Sequence, residues 1–127
     1  EIQLTGAPRE QTMRAALRDH SQALLAIAKA EALALINAIA PEHLTLSVRD
    51  PEGWLPHVSN AGCVLLGDWT PESAGDYCLG PSHTLPTNGA ARWQSPVNIL
   101  DFWKVQSVSH LNRETLEFWR PVIEAFG

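Results

Sequence analysis

The chain has 127 residues, a length that fits one domain with a real hydrophobic core. With 45% hydrophobic and 18% charged residues it is not a disordered chain, and its longest apolar runs, Ala23 to Ala28 and Cys63 to Leu66, are too short to span a bilayer. A formal net charge of −5 without a Lys/Arg cluster argues against a nucleic-acid partner, and no secretory apolar segment opens the chain.

Pro8 to His20 carries helix signals, with proline near the start and apolar residues at Met13, Ala16 and Leu17. Ala23 to Ala28 is an unbroken apolar run and is expected to form a strand buried on both faces. Lys29 to Ile39 returns to helix formers, and Pro41 ends that helix. Leu44 to Val48 alternates as a half-buried strand does, and Asp50 to His57 reads as a short helix with Pro51 in its first turn. Cys63 to Leu66 is a second buried strand, closed by Gly67. Alternating helices and buried strands predict an α/β fold, a partial parallel sheet layered by helices.

After Gly67 the period stops. Pro71, Gly75, Gly80, Pro81 and Pro86 crowd the stretch from Thr70 to Thr87, which is expected to be a long functional loop without a regular helix or strand. Val97 to Trp103 reads as a short helix and Val105 to Val108 as a short strand. Asn112 to Ala125 reads as a C-terminal helix, with Pro121 predicting a kink or break. The five tryptophans are expected as core or interface anchors, with Trp69 and Trp93 flanking the loop as walls of a pocket. Cys63 and Cys78 form no CxxC pair and are expected as free thiols, Cys63 packed as a small hydrophobe, in a cytoplasmic protein. The start at Glu1, with Met13 the only methionine, reads as a fragment, a processed product or a trimmed form.

Two clusters carry the candidate chemistry. Glu42 and His43 are adjacent between a helix-ending proline and a strand, and they could serve two different protons of one ligand. His43 is the better base at neutral pH, because an ordinary imidazole titrates there. Asp76 and His83, in the loop, are residue types that bind zinc or another divalent ion, but two ligands are too few for a zinc site. On spacing alone a structural role stays open for all four: Glu42 as a cap or ion-pair partner, His43 packed under the loop, and Asp76 accepting backbone N–H bonds. His20, His57 and His110 read as structural.

The two clusters stand in an ordered series: Ile39-Ala40-Pro41-Glu42-His43-Leu44, Asn60-Ala61-Gly62, Gly67, Thr70-Pro71-Glu72, Gly75-Asp76-Tyr77, Gly80-Pro81, His83, Leu85-Pro86-Thr87 and Ala91-Arg92. In this series the chain resembles histidinol dehydrogenase, loosely from Pro8 and tightly from Asn37 to about Ser109. The resemblance implies a zinc- and NAD-dependent homodimer of histidine biosynthesis that oxidises L-histidinol through histidinaldehyde to L-histidine. It implies Glu42 and His43 as the catalytic acid–base pair, with His43 taking the alcohol proton and Glu42 activating water. It implies Asp76 as a zinc ligand, and His43, Asp76 and His83 as substrate contacts.

The family's remaining zinc ligands, a Gln and a His upstream and a His in the partner subunit's tail, have no counterpart in this sequence. Neither does its nucleotide-binding domain, and Gly-x-Gly-x-x-Gly is absent. The chain therefore reads as residues 1–97 of a partial α/β catalytic domain and residues 98–127 of the start of a C-terminal helical tail. It is expected to be inactive in isolation. The competing expectation is a degenerate, non-catalytic relative serving dimerisation or small-ligand binding.

Overall fold

Ala40 sits between a helix that must stop and a strand that must start. It precedes Pro41, whose ring disfavours right-handed helix at the residue before it. It adopts left-handed φ 51° and ψ 63°, closes helix α2 (Lys29–Ile39) by donating its N–H to the Ile36 carbonyl, and is fully buried. The chain then leaves the helix into strand β1 (His43–Leu46). At the other end of α2 the Glu31 carboxylate accepts from the Ile27 N–H at 2.8 Å.

The computed structural model describes residues 3–127, and the chain divides into two compact units, Glu1–Pro96 and Val97–Gly127. In the first, β1 pairs in parallel with β2 (Cys63–Leu66), with His43 opposite Cys63 and Leu46 opposite Leu66. The core lies where this pair meets helix α3 (Glu72–Tyr77), around buried Leu46, Leu65 and Gly75. Helix α1 (Glu10–His20) precedes α2, and Glu10 accepts from Gly6 N–H and from Arg14 Nε, each at 2.8 Å. This is an α/β architecture with a small parallel sheet, as expected from the alternation of elements.

Some local expectations differ. No strand forms over Ala23–Ala28, where Leu25 and Ile27 are 92% and 93% exposed. An apolar run carries no period that selects a strand, and a strand buried on both faces needs ladder neighbours. Among the described residues, β1 and β2 have only each other. Residues 50–57 form a turn and a 3-10 helix (Leu55–His57) in place of one helix, with Asp50 Oδ1 accepting from Gly53 N–H.

The stretch after Gly67 is not all loop, because α3 lies within it. Gly75 does not break the helix but serves a contact: a Cβ there would stand 3.2 Å from Leu65 Cδ2. Glycine brings the helix onto the strand, and that packing outweighs a propensity deficit of about 1 kcal/mol. The tryptophans are not core residues of this chain, Trp69 being 97% exposed and Trp93 also exposed. Trp54 is half-buried, with Lys29 Nζ 5.2 Å from its ring centroid.

The second unit holds a 3-10 helix (Ile99–Phe102) with an Asn98/Asp101 capping box, and helix α4 (Arg113–Phe126). No strand forms over Val105–Val108. The Asn112 side chain caps α4 by accepting from Thr115 N–H at 2.8 Å. Helix α4 runs through Pro121 without a break. No helix among the described residues is long and apolar enough to cross a membrane.

Candidate functional site

The site begins with a clamp on the Pro41-Glu42-His43 backbone. Gly62 N–H donates to the Pro41 carbonyl at 2.9 Å, and Cys63 N–H to the Glu42 carbonyl at 2.8 Å. These approaches require glycine at position 62, since a Cβ there would fall 2.6 Å from Glu42 O and 3.1 Å from Pro86 Cδ. The segment before β2 is held in turn by α2. Asn37 Oδ1 accepts from Ser59 N–H (2.8 Å) and Asn60 N–H (3.2 Å), Asn37 Nδ2 donates to the His57 carbonyl (2.9 Å), and Asn60 Nδ2 donates to the Asn37 carbonyl (2.8 Å). Arg92 adds a hydrogen bond from Nη2 to the Ala38 carbonyl, a cation at the C-terminal end of a helix.

Helix α3 supplies the facing groups. Thr70 Oγ donates to the Leu66 carbonyl at 2.7 Å, which ties the entry of α3 to the end of β2. Pro71, in extended backbone, precedes the first helical residue, and its carbonyl accepts from Ala74 N–H at 3.0 Å. Glu72 and Asp76 then stand four residues apart, on one face of the helix. Gly75 seats α3 on Leu65, so this face meets the start of β1.

His43 lies between the two carboxylates. Its Nε2 is 3.2 Å from Asp76 Oδ1, and its Nδ1 is 3.8 Å from Glu72 Oε1. The side chains of His43 and Asp76 are 18% and 25% exposed, whereas that of Glu72 is 64% exposed. One nitrogen or oxygen from each of the three residues lies within 4.8 Å of the others, the one such cluster among the described residues. Beneath it, burial pushes the Cys63 thiol up from its ordinary pKa, and the negative charge of Asp76 pushes it the same way. Both cysteines are free thiols.

Of the four residues singled out in the sequence, the fold joins His43 and Asp76. Glu42 is half-buried next to them in the chain, and its carboxylate makes no hydrogen bond or ion pair with any described residue. His83 is exposed in the segment after α3, and its imidazole is likewise without such a partner. That segment turns at Gly80 (φ 91°) and at Ser82, whose Oγ accepts from Thr84 N–H, and returns to the site at buried Pro86 beside Gly62.

Sequence pattern gives no role to Glu72, Gly62 or Asn37 and marks Gly75 only as a breaker. An acidic pair at i and i+4 was the available signal for Glu72, hidden by reading its segment as a loop.

Comparison with known proteins decides the family. The sequence model of histidinol dehydrogenase matches residues 1–127. The chain belongs to the histidinol dehydrogenase family. It is 44% identical over 106 residues to the histidinol dehydrogenase of Pseudomonas aeruginosa, covering 84% of this chain and 24% of that protein. It is 40% identical over 125 residues to that of Bacillus subtilis, covering 98% of this chain and 29% of that protein. The crystal structure of histidinol dehydrogenase from Elizabethkingia anophelis superposes with a TM-score of 0.85 at 36% identity, over 98% of this chain and 28% of that one. The chain thus spans less than a third of the length of these relatives.

For a histidinol dehydrogenase segment, the motif residues acquire structural reasons. Asn60 and Gly62 hold the backbone that presents Glu42 and His43, while Thr70 and Gly75 aim α3 at His43. The donor types of the cluster, one imidazole and two carboxylates, are ones that zinc accepts, so a carboxylate of this cluster fits as one ligand of a zinc ion. No Gly-x-Gly-x-x-Gly phosphate loop stands in the sequence.

Proposed function

We propose that this chain forms part of the active site of a zinc- and NAD-dependent histidinol dehydrogenase, which oxidises L-histidinol through histidinaldehyde to L-histidine in the cytoplasm. The approach of His43 Nε2 to Asp76 Oδ1 at 3.2 Å carries the reading, because it unites residues of two separate family motifs. Zinc, held by Asp76 together with ligands outside this chain, supplies a positive centre that orients the imidazole and amine of the substrate. His43 takes the proton of the substrate alcohol, and its position in the first residue of a paired strand holds the ring in place. Glu42 accepts a proton from the water that adds to the aldehyde. Its carboxylate, uncommitted to any ion pair among the described residues, is suited to that role. His83, on the exposed segment beyond α3, contacts the substrate. NAD supplies the hydride acceptor, and its binding belongs to sequence outside this chain. We propose the working assembly to be a homodimer.

The test compares the full-length zinc-loaded protein with its His43→Asn and Glu42→Gln variants by histidinol-dependent NAD reduction. The expected result is loss of about 10²-fold or more in kcat for each. Full activity in His43→Asn overturns the reading. The isolated 127-residue chain is expected to reduce no NAD with histidinol.

A further inference from the structure

We infer that Arg92 is a positioning residue of the proposed reaction: its guanidinium fixes the segment that carries His83 to the helix that leads into Glu42 and His43. The inference rests on the proposed role of His83 as a substrate contact.

Residues 80–94 contain no α-helix or strand, and they turn at Gly80, Asn88 and Gly89, all with positive φ. An irregular segment holds a side chain in place only where the body of the fold grips it. Two grips are present. Pro86 is buried beside Gly62, close enough that a Cβ on that glycine would stand 3.1 Å from Pro86 Cδ. Arg92, further along, donates from Nη2 to the Ala38 carbonyl in the last turn of α2. Among the described residues this is the one hydrogen bond between residues 80–94 and the rest of the chain. A grip at Pro86 alone leaves the segment free to turn about that residue, and the second grip at Arg92 stops it.

The local structure serves this bridge. Arg92 Nη1 donates to the Gly89 carbonyl at 3.0 Å, so one planar guanidinium joins carbonyls of two segments. The bridge needs glycine at 89, where φ is 76° and a Cβ would collide with Nη1. Ala90 N–H donates to the Thr87 carbonyl at 2.9 Å and opens the 3-10 helix Ala90–Arg92 that carries the side chain. A cation beside the last carbonyls of a helix is favoured by the helix dipole, and a charged donor makes a stronger hydrogen bond than a neutral one. Ala38 lies shortly before Ala40 and Pro41, so the anchor is set at the root of the Glu42-His43 segment. Ala91-Arg92 belongs to the family series, yet the proposed chemistry gives Arg92 no step of its own.

The test uses the full-length zinc-loaded protein and histidinol-dependent NAD reduction, with Arg92→Ala, Arg92→Lys, His83→Ala and the double variant of Arg92→Ala with His83→Ala. Zinc content and circular dichroism establish that each is folded. Arg92→Ala is expected to raise KM for histidinol about tenfold while kcat stays within about threefold, the signature of lost substrate binding. Arg92→Lys, whose compact charge cannot join both carbonyls, is expected to show a smaller rise. In the His83→Ala background, Arg92→Ala is expected to raise KM less than about twofold further, because the two residues act as one unit. Independent, multiplying effects in that cycle overturn the inference, and so does a parental KM in Arg92→Ala. If Arg92→Ala does not fold, Arg92→Lys is carried through the same cycle. If neither folds, Arg92 serves stability and the inference falls. A parental KM in His83→Ala removes the reading of His83 itself, whereas a raised KM there with parental Arg92 variants removes this inference alone.

Discussion

Gly75 of α3 rests against Leu65 of β2, so closely that a Cβ added to the glycine would stand 3.2 Å from Leu65 Cδ2 and 4.0 Å from Cys63 Sγ. Leu65 is buried and has little freedom to yield. Gly75→Ala therefore gains helix propensity and loses packing in similar measure, and is expected to change stability by less than about 1 kcal/mol. Gly75→Val adds branched volume toward Leu65 and Cys63 and is expected to cost about 2 kcal/mol. Chemical denaturation of the full-length protein reads both, and a valine variant as stable as the parent contradicts this packing.

Position 62 tolerates less. The obstacle to a side chain there is the Glu42 carbonyl at 2.6 Å, which is backbone and cannot rotate away. Gly62→Ala must move β1 relative to the start of β2, at an expected cost of about 3 kcal/mol. Because Glu42 and His43 ride on that backbone, residual folded protein is expected to lose activity beyond the loss in stability. Activity per folded molecule, with folding measured by circular dichroism, separates the two effects.

Asn37 makes three side-chain hydrogen bonds to backbone across the gap between α2 and the approach to β2. Asn37→Ala is expected to cost about 2 kcal/mol, since the freed N–H groups regain only part of their hydration. Asn37→Asp keeps the acceptor for Ser59 and Asn60 and loses only the bond to His57, so it is expected to be milder. Equal melting shifts for the two variants run against this division of labour.

The Cys63 thiol is pushed up by burial first and by the Asp76 charge second. The folded protein thus favours the neutral thiol more than the unfolded chain does. The associated stability is fully present below the ordinary thiol pKa of about 8.5 and is lost as pH rises through the higher folded value. In chelator-treated Cys78→Ser protein, the alkylation rate of Cys63 is expected to rise with a midpoint above that of a free thiol. Asp76→Asn is expected to lower that midpoint. A midpoint unchanged by Asp76→Asn contradicts the electrostatic link between β2 and α3.

Much of the fold was legible where local pattern and local physics agree. The bounds of β2 stand as read from Cys63 to Leu66, and α2 ends where Pro41 requires. The pattern misled where burial depended on a neighbour. The apolar run at Ala23–Ala28 is exposed, because hydrophobicity names a need for a partner without naming one. Gly75 misled in the opposite direction: a glycine read for its freedom serves its lack of a side chain.

From the sequence alone, the order of glycines, prolines, acids and imidazoles determined the family, and it singled out His43 and Asp76. Those features are local in the chain, and turn chemistry and residue type express them without reference to anything distant. Only the tertiary structure decided that Asp76 lies on a helix with Glu72 one turn earlier, and that both carboxylates face the two nitrogens of His43. That arrangement depends on Gly75 finding Leu65 and on Gly62 finding the Glu42 carbonyl. Such close approaches are set by packing between segments, and no spacing along the chain encodes them.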